Sequence, residues 1–74
     1  MTGYGVVPFH TTSAVMRAEK LLVREGYSIK LIPTPRQFSS DCGISIRFAW
    51  SLAEIIKPLL QTAGVEIQGI RQLN

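Results

Sequence analysis

Apolar residues come in short runs whose spacing switches between two, which suits a half-buried strand, and about 3.6, which suits an amphipathic helix. Tyr4-Gly-Val-Val-Pro-Phe9 is a run of strand length, with Pro8 expected near its end because proline cannot donate to a ladder. His10 follows, then Thr11, Thr12 and Ser13, and Ala14, Ala18, Leu21 and Leu22 recur at helical spacing. Any of the three hydroxyls can accept from the unpaired amides at a helix start. Gly26 closes this first helix, and Ile29 and Leu31 then alternate with Ser28 and Lys30 as far as Pro33, a second strand. Pro35 marks a turn. Ile44, Ile46 and Phe48 alternate with Ser45 and Arg47, a third strand with one buried face. Ser51-Leu-Ala-Glu54 has capping-box spacing ahead of the stripe Leu52, Ile55, Ile56, Leu59 and Leu60. Pro58 inside this second helix is expected to kink it or interrupt its hydrogen bonding, Gly64 to stop it, and Val65–Ile70 to supply a fourth strand.

The order βαββαβ predicts an α+β, ferredoxin-like domain: a four-stranded antiparallel sheet with both helices on one face, strands one and three being central neighbours. Residues 1–74 are enough for one such domain, since a chain this short buries only about 60% of its unfolded surface and every apolar face must share one core. In this topology the end of strand one, the start of helix one and the start of strand three meet at one edge of the sheet. Cys42, the only cysteine, therefore faces the N-terminus of helix one. The amides near Thr11, Thr12 and Ser13 and the charge of Arg36 would favour an anionic sulfur there. His10 lies on the same loop and, as a histidine, is a candidate proton shuttle.

Composition narrows the chemistry. A hydrophobic share of 46% with 18% charged residues is that of an ordinary folded domain. One cysteine cannot form an internal disulfide, which makes a reducing, cytoplasmic setting the simpler expectation. No apolar run approaches the roughly 18–20 residues that span a bilayer, and the first residues lack a secretory pattern. One cysteine and one histidine cannot make a four-ligand zinc site, and there is no glycine-rich phosphate loop, so neither metal nor nucleotide cofactor is expected. The net charge of +3 is dispersed over eight basic residues, with no continuous basic run. RNA recognition on this strand order needs exposed aromatics on the central strands, whereas the outward positions of strand three are Ser45 and Arg47, so nucleic-acid binding is not expected.

Several motifs together resemble a known family of small selenium/sulfur carrier-like proteins. They are Phe9 with its hydroxyl-rich turn, Ala14 to Glu19 and Leu22 on helix one, Ile32-Pro-Thr-Pro-Arg36, and Cys42-Gly-Ile-Ser-Ile-Arg-Phe48. The proline-arginine turn and the cysteine-glycine pair are the most specific of these. Phe48-Ala-Trp-Ser51 departs from the acidic or polar approach to helix two that the resemblance leads one to expect. The resemblance implies a compact α+β domain in which Cys42 carries sulfur or selenium, as a persulfide or selenosulfide, between donor and acceptor proteins.

Plainer readings stand beside this one. Cys42 is in phase with Ile44, Ile46 and Phe48, so it can point inward as a small buried hydrophobe. Gly43 fits a close backbone approach or an unusual torsion beside the thiol, and fits an ordinary turn glycine equally. Asp41 opposes a thiolate if it points toward it, and caps the turn if it does not. Capping alone accounts for Thr11–Ser13, and Arg36 can be a solvated loop residue. Trp50 is expected to cover the lower end of the core. A cysteine-histidine pair suggests covalent catalysis, and a peroxidatic cysteine would need a second thiol from outside the chain. A different class of function is a small regulatory or interaction module that pairs with another domain, or with its own copy, through the open sheet face or the edges of strands two and four. Carrier or accessory roles fit the residues better than a stand-alone enzyme.

Overall fold

The structure is a computed structural model that describes residues 3–38 and 42–73. Its elements are β1 (Tyr4–Pro8), α1 (Thr12–Arg24), β2 (Ile29–Pro33), β3 (Ile44–Ala49), α2 (Ala53–Thr62) and β4 (Arg71–Gln72), with a 3-10 turn at Trp50–Leu52. The four strands form one antiparallel sheet in the order β2-β3-β1-β4, so the fold is the ferredoxin-like α+β arrangement. Both helices lie on one face. The core joins Val7, Phe9, Ile46 and Phe48 from the sheet side to Ala14, Val15, Ala18 and Leu22 of α1 and Ile56 and Leu60 of α2.

The helix stops follow from local chemistry. Gly26 (φ +89°) and Gly64 (φ +75°) each sit two residues past the end of a helix, in the left-handed region that a side chain disfavours. Each turn then closes the same way. Gly26 N–H donates to Val23 O and Tyr27 N–H to Leu22 O; Gly64 N–H donates to Gln61 O and Val65 N–H to Leu60 O. In both, the residue after the glycine packs back on the core.

The C-terminal part differs from expectation. Val65–Ile70 does not form the fourth strand; β4 is only Arg71–Gln72, paired with Val6 and Gly5. Alternating apolar residues report which side is buried, not whether the backbone joins a ladder. Val65 closes the α2 stop, Ile67 and Ile70 pack against the core, and the segment touches β1 through Gln68 N–H to Pro8 O at 2.9 Å. Ser51 and Glu54 likewise form no capping box: the residue before α2 is Leu52, without a side-chain cap, because the 3-10 turn makes the approach instead. Pro58 lies inside α2, which continues to Thr62, so the proline does not end the helix.

At the lower end of β3, Phe48 stacks against Trp50 with ring centroids 6.2 Å apart. Trp50 covers the core edge as the pattern predicts. Gly5, the β1 partner of Phe48, is the position that must lack a side chain. A Cβ there would lie 2.5 Å from Phe48 and 2.6 Å from Trp50 ring atoms.

Candidate functional site

The site begins with how β2 and β3 meet. Their register continues one step past Pro33 and Ile44, where Thr34 N–H donates to Gly43 O at 2.9 Å. Thr34 is therefore held beside the loop end, and its hydroxyl donates to the backbone carbonyl of Cys42 at 3.0 Å. The same oxygen lies 2.7 Å from Ser45 Oγ. A threonine hydroxyl has one proton, already directed to Cys42, so Ser45 is the donor in this second bond. Ser45 occupies the outward position that the alternation assigns to it, on the face away from the helices, but it is fully buried, with its hydroxyl satisfied by Thr34. This chain of hydroxyls ties the backbone of Cys42 to the sheet.

The other side of Cys42 meets α1. Thr11 is the N-cap, with extended backbone, and its side chain accepts from Ala14 N–H at 3.1 Å. With Thr11 so engaged, Thr12 opens the helix and brings its Oγ1 within 3.6 Å of Cys42 Sγ. Either atom can donate: the S–H to the hydroxyl oxygen in the thiol, or the O–H to sulfur in the thiolate. The first turn of α1 carries no acidic residue, so no side chain on it opposes a negative charge at the helix start.

Of the three hydroxyls, one caps, one meets the sulfur, and Ser13 is exposed in the first helical turn. His10 is exposed on the loop between β1 and α1, and Arg36 is exposed in the turn after β2. Gly43 has neither a positive φ nor a close neighbour: a Cβ there would meet nothing within 4 Å, because the residue is exposed beside the buried thiol. Of the two readings of Gly43, these observations fit the ordinary turn glycine. Asp41 lies outside the described residues.

Cys42 itself is 5% exposed and belongs to the core cluster. The sulfur that topology brings to the helix start is buried, so a reagent or partner reaches it only through local opening around Cys42. Thr34 and Ser45 were not singled out in the sequence as site residues. The signal for Thr34 was its place between two prolines, which leaves a hydroxyl at a fixed point of the turn; Ser45 offers no comparable signal.

The described residues contain no group of three or more histidine, cysteine or acidic side chains that could hold a metal, and no helix long and apolar enough to cross a membrane. A family model described as "Putative Se/S carrier protein-like" matches residues 4–72. No curated protein and no solved structure gives a significant match.

Proposed function

The chain belongs to the Putative Se/S carrier protein-like family, and from that premise we propose that Cys42 is the atom-carrying residue of a thiol carrier. The observation that supports this reading is the pairing of the only cysteine with the Thr12 hydroxyl, 3.6 Å away at the start of α1. The chemistry is an exchange at sulfur. Cys42 thiolate attacks the outer sulfur of a donor persulfide; the new S–S bond forms on Cys42 as the donor's S–S bond breaks, and the donor leaves as its thiolate. A thiolate on the acceptor reverses the step and releases Cys42. No oxidant is consumed, because sulfur is handed on at the same oxidation level. A selenium atom in place of the outer sulfur follows the same displacement.

Burial fits a carrier whose partners control access. A persulfide on the buried sulfur is shielded from unrelated thiols except during local opening, which a docked partner favours, and the catalytic groups then reside largely in the partner. The test is incubation of the reduced protein with a small persulfide donor, followed by intact-mass and peptide analysis. A gain of one sulfur atom on Cys42, absent in Cys42→Ser, is expected; no gain under conditions that load a known carrier thiol would refute the reading.

The same 5% exposure supports a second reading, in which Cys42 is a core residue and the domain is an interaction module. Alkylation separates the two. A carrier thiol reacts in native buffer at a rate set by local opening, whereas a purely structural one reacts only in proportion to global unfolding.

A further inference from the structure

The face of the sheet opposite the helices carries a charge pattern that only the strand register reveals. Lys30 pairs with Arg47, Arg47 with Val6, and Val6 with Arg71. Partners in an antiparallel ladder point to the same side, so these four residues form one row across β2, β3, β1 and β4. Val6 lies outside the core cluster on the helix side and is fully buried, so neighbouring side chains of this face cover it. The row holds every basic residue of the four strands, and no strand position carries an aspartate or glutamate. At the usual strand spacing the three cations span about 14 Å. Tyr4 lies next along β1 on the same face, with the Arg47 guanidinium 4.3 Å from its ring centroid. Grooves flank the row, one reaching Tyr4, Ser28, Lys30 and Arg47, the other Pro8, Phe38, Gln68 and Arg71.

We propose that this open face is a docking surface for a protein partner that presents a cluster of carboxylates to Lys30, Arg47 and Arg71. Charge complementarity is the argument: three like charges left together with no strand carboxylate among them repel one another, and an acidic surface relieves that repulsion while steering encounter. A second basic stripe, Arg17, Lys20 and Arg24 on α1, lacks this purity, because Glu19 shares a groove with Lys20 and Arg24, and Arg24 sits 4.0 Å from Glu25 at the helix end. A single-stranded nucleic acid is disfavoured because it needs stacking rings, and the one exposed ring on the strands, Tyr4, already has Arg47 over it. The proposal rests on the carrier reading only for its expectation that a donor or acceptor protein must dock.

The test uses the whole reduced domain, 15N-labelled, titrated at low salt with a deca-glutamate peptide, with deca-glutamine as control and octa-uridylate as the competing class. Expected are glutamate-dependent amide shifts concentrated at Val6, Lys30, Arg47 and Arg71, weakening as salt rises. Replacing Lys30, Arg47 and Arg71 together by Gln should weaken binding about fivefold, against less than about twofold for Arg17, Lys20 and Arg24 replaced together. If the triple variant loses its dispersed spectrum, Arg71→Gln alone, on the short edge strand, should weaken binding about twofold. Shifts centred on α1, equal losses in both charge-neutralised triples, or tighter binding of octa-uridylate at the row would each overturn the proposal. Cys42→Ser should bind the peptide as the native protein does. Failure of sulfur loading with docking intact would refute the carrier reading alone, and loss of the row-specific effect with loading intact would refute the docking surface alone.

Discussion

The two ends of β3 are held in opposite ways. At the Phe48 end, an aromatic pair presses on a glycine, with Phe48 1% exposed, and non-directional packing does the holding. At the Cys42 end, a run of hydroxyls from Ser45 through Thr34 to the Cys42 carbonyl, with Thr12 at the sulfur, holds by direction. Packing resists every displacement because voids and overlaps both cost energy. A few hydrogen bonds can be exchanged for bonds to water or to a partner at small net cost. The contrast predicts that one end anchors the strand while the other opens without unfolding the domain, which is the division the proposed carrier thiol requires.

The comparison can be broken most strongly at the anchored end. Phe48→Ala should cost about 3–5 kcal/mol, a large part of the roughly 4–11 kcal/mol expected for a domain of this size, and leave it near its unfolding threshold in urea titration. Gly5→Ala, which forces a methyl group into the Phe48 and Trp50 rings, should cost about 1–3 kcal/mol, visible as a lower urea midpoint with unchanged slope. In both variants Cys42 alkylation should accelerate through global unfolding and so depend steeply on urea; urea-independent acceleration would show that the two ends are not distinct.

At the thiol end the effects should be smaller in stability and larger in local access. Thr34→Val strands the Ser45 hydroxyl and the Cys42 carbonyl, so a loss of about 1–2 kcal/mol is expected, with alkylation in native buffer about tenfold faster and independent of low urea. Thr12→Val keeps the shape of the residue and should change global stability by less than about 1 kcal/mol. Its signature is in rate: a change in native-state alkylation of a few-fold, with no shift in the urea midpoint. No change in rate would mean that the Thr12 contact is passive packing.

Most of the architecture was legible in order and periodicity. Alternation at 29–33 and 44–48 marked strands, the stripe on α1 marked its buried face, and Gly26 and Gly64 marked both stops, since each signal is local and backed by backbone sterics. Where local signals misled, a tertiary contact had replaced a local one. Ser51 and Glu54 matched a capping box that the 3-10 turn makes unnecessary, and Val65–Ile70 alternated because it packs against the core while the ladder waits for Arg71.

For the candidate site, topology brought Cys42 to the start of α1, because short connections and right-handed crossovers leave a βαββαβ chain few ways to fold back with both helices on one face. The sequence by itself therefore determined the fold class, the single cysteine and the helix end it meets. Only the tertiary structure decided that Thr11 caps while Thr12 meets the sulfur, that Thr34, itself bonded by Ser45, holds the Cys42 backbone carbonyl, and that Cys42 is buried. Tertiary structure also set Lys30, Arg47 and Arg71 in one row. The reason is physical: periodicity specifies which side of an element is apolar, whereas register, burial and hydrogen-bond pairing arise between residues far apart in the chain and exist only once the elements have packed.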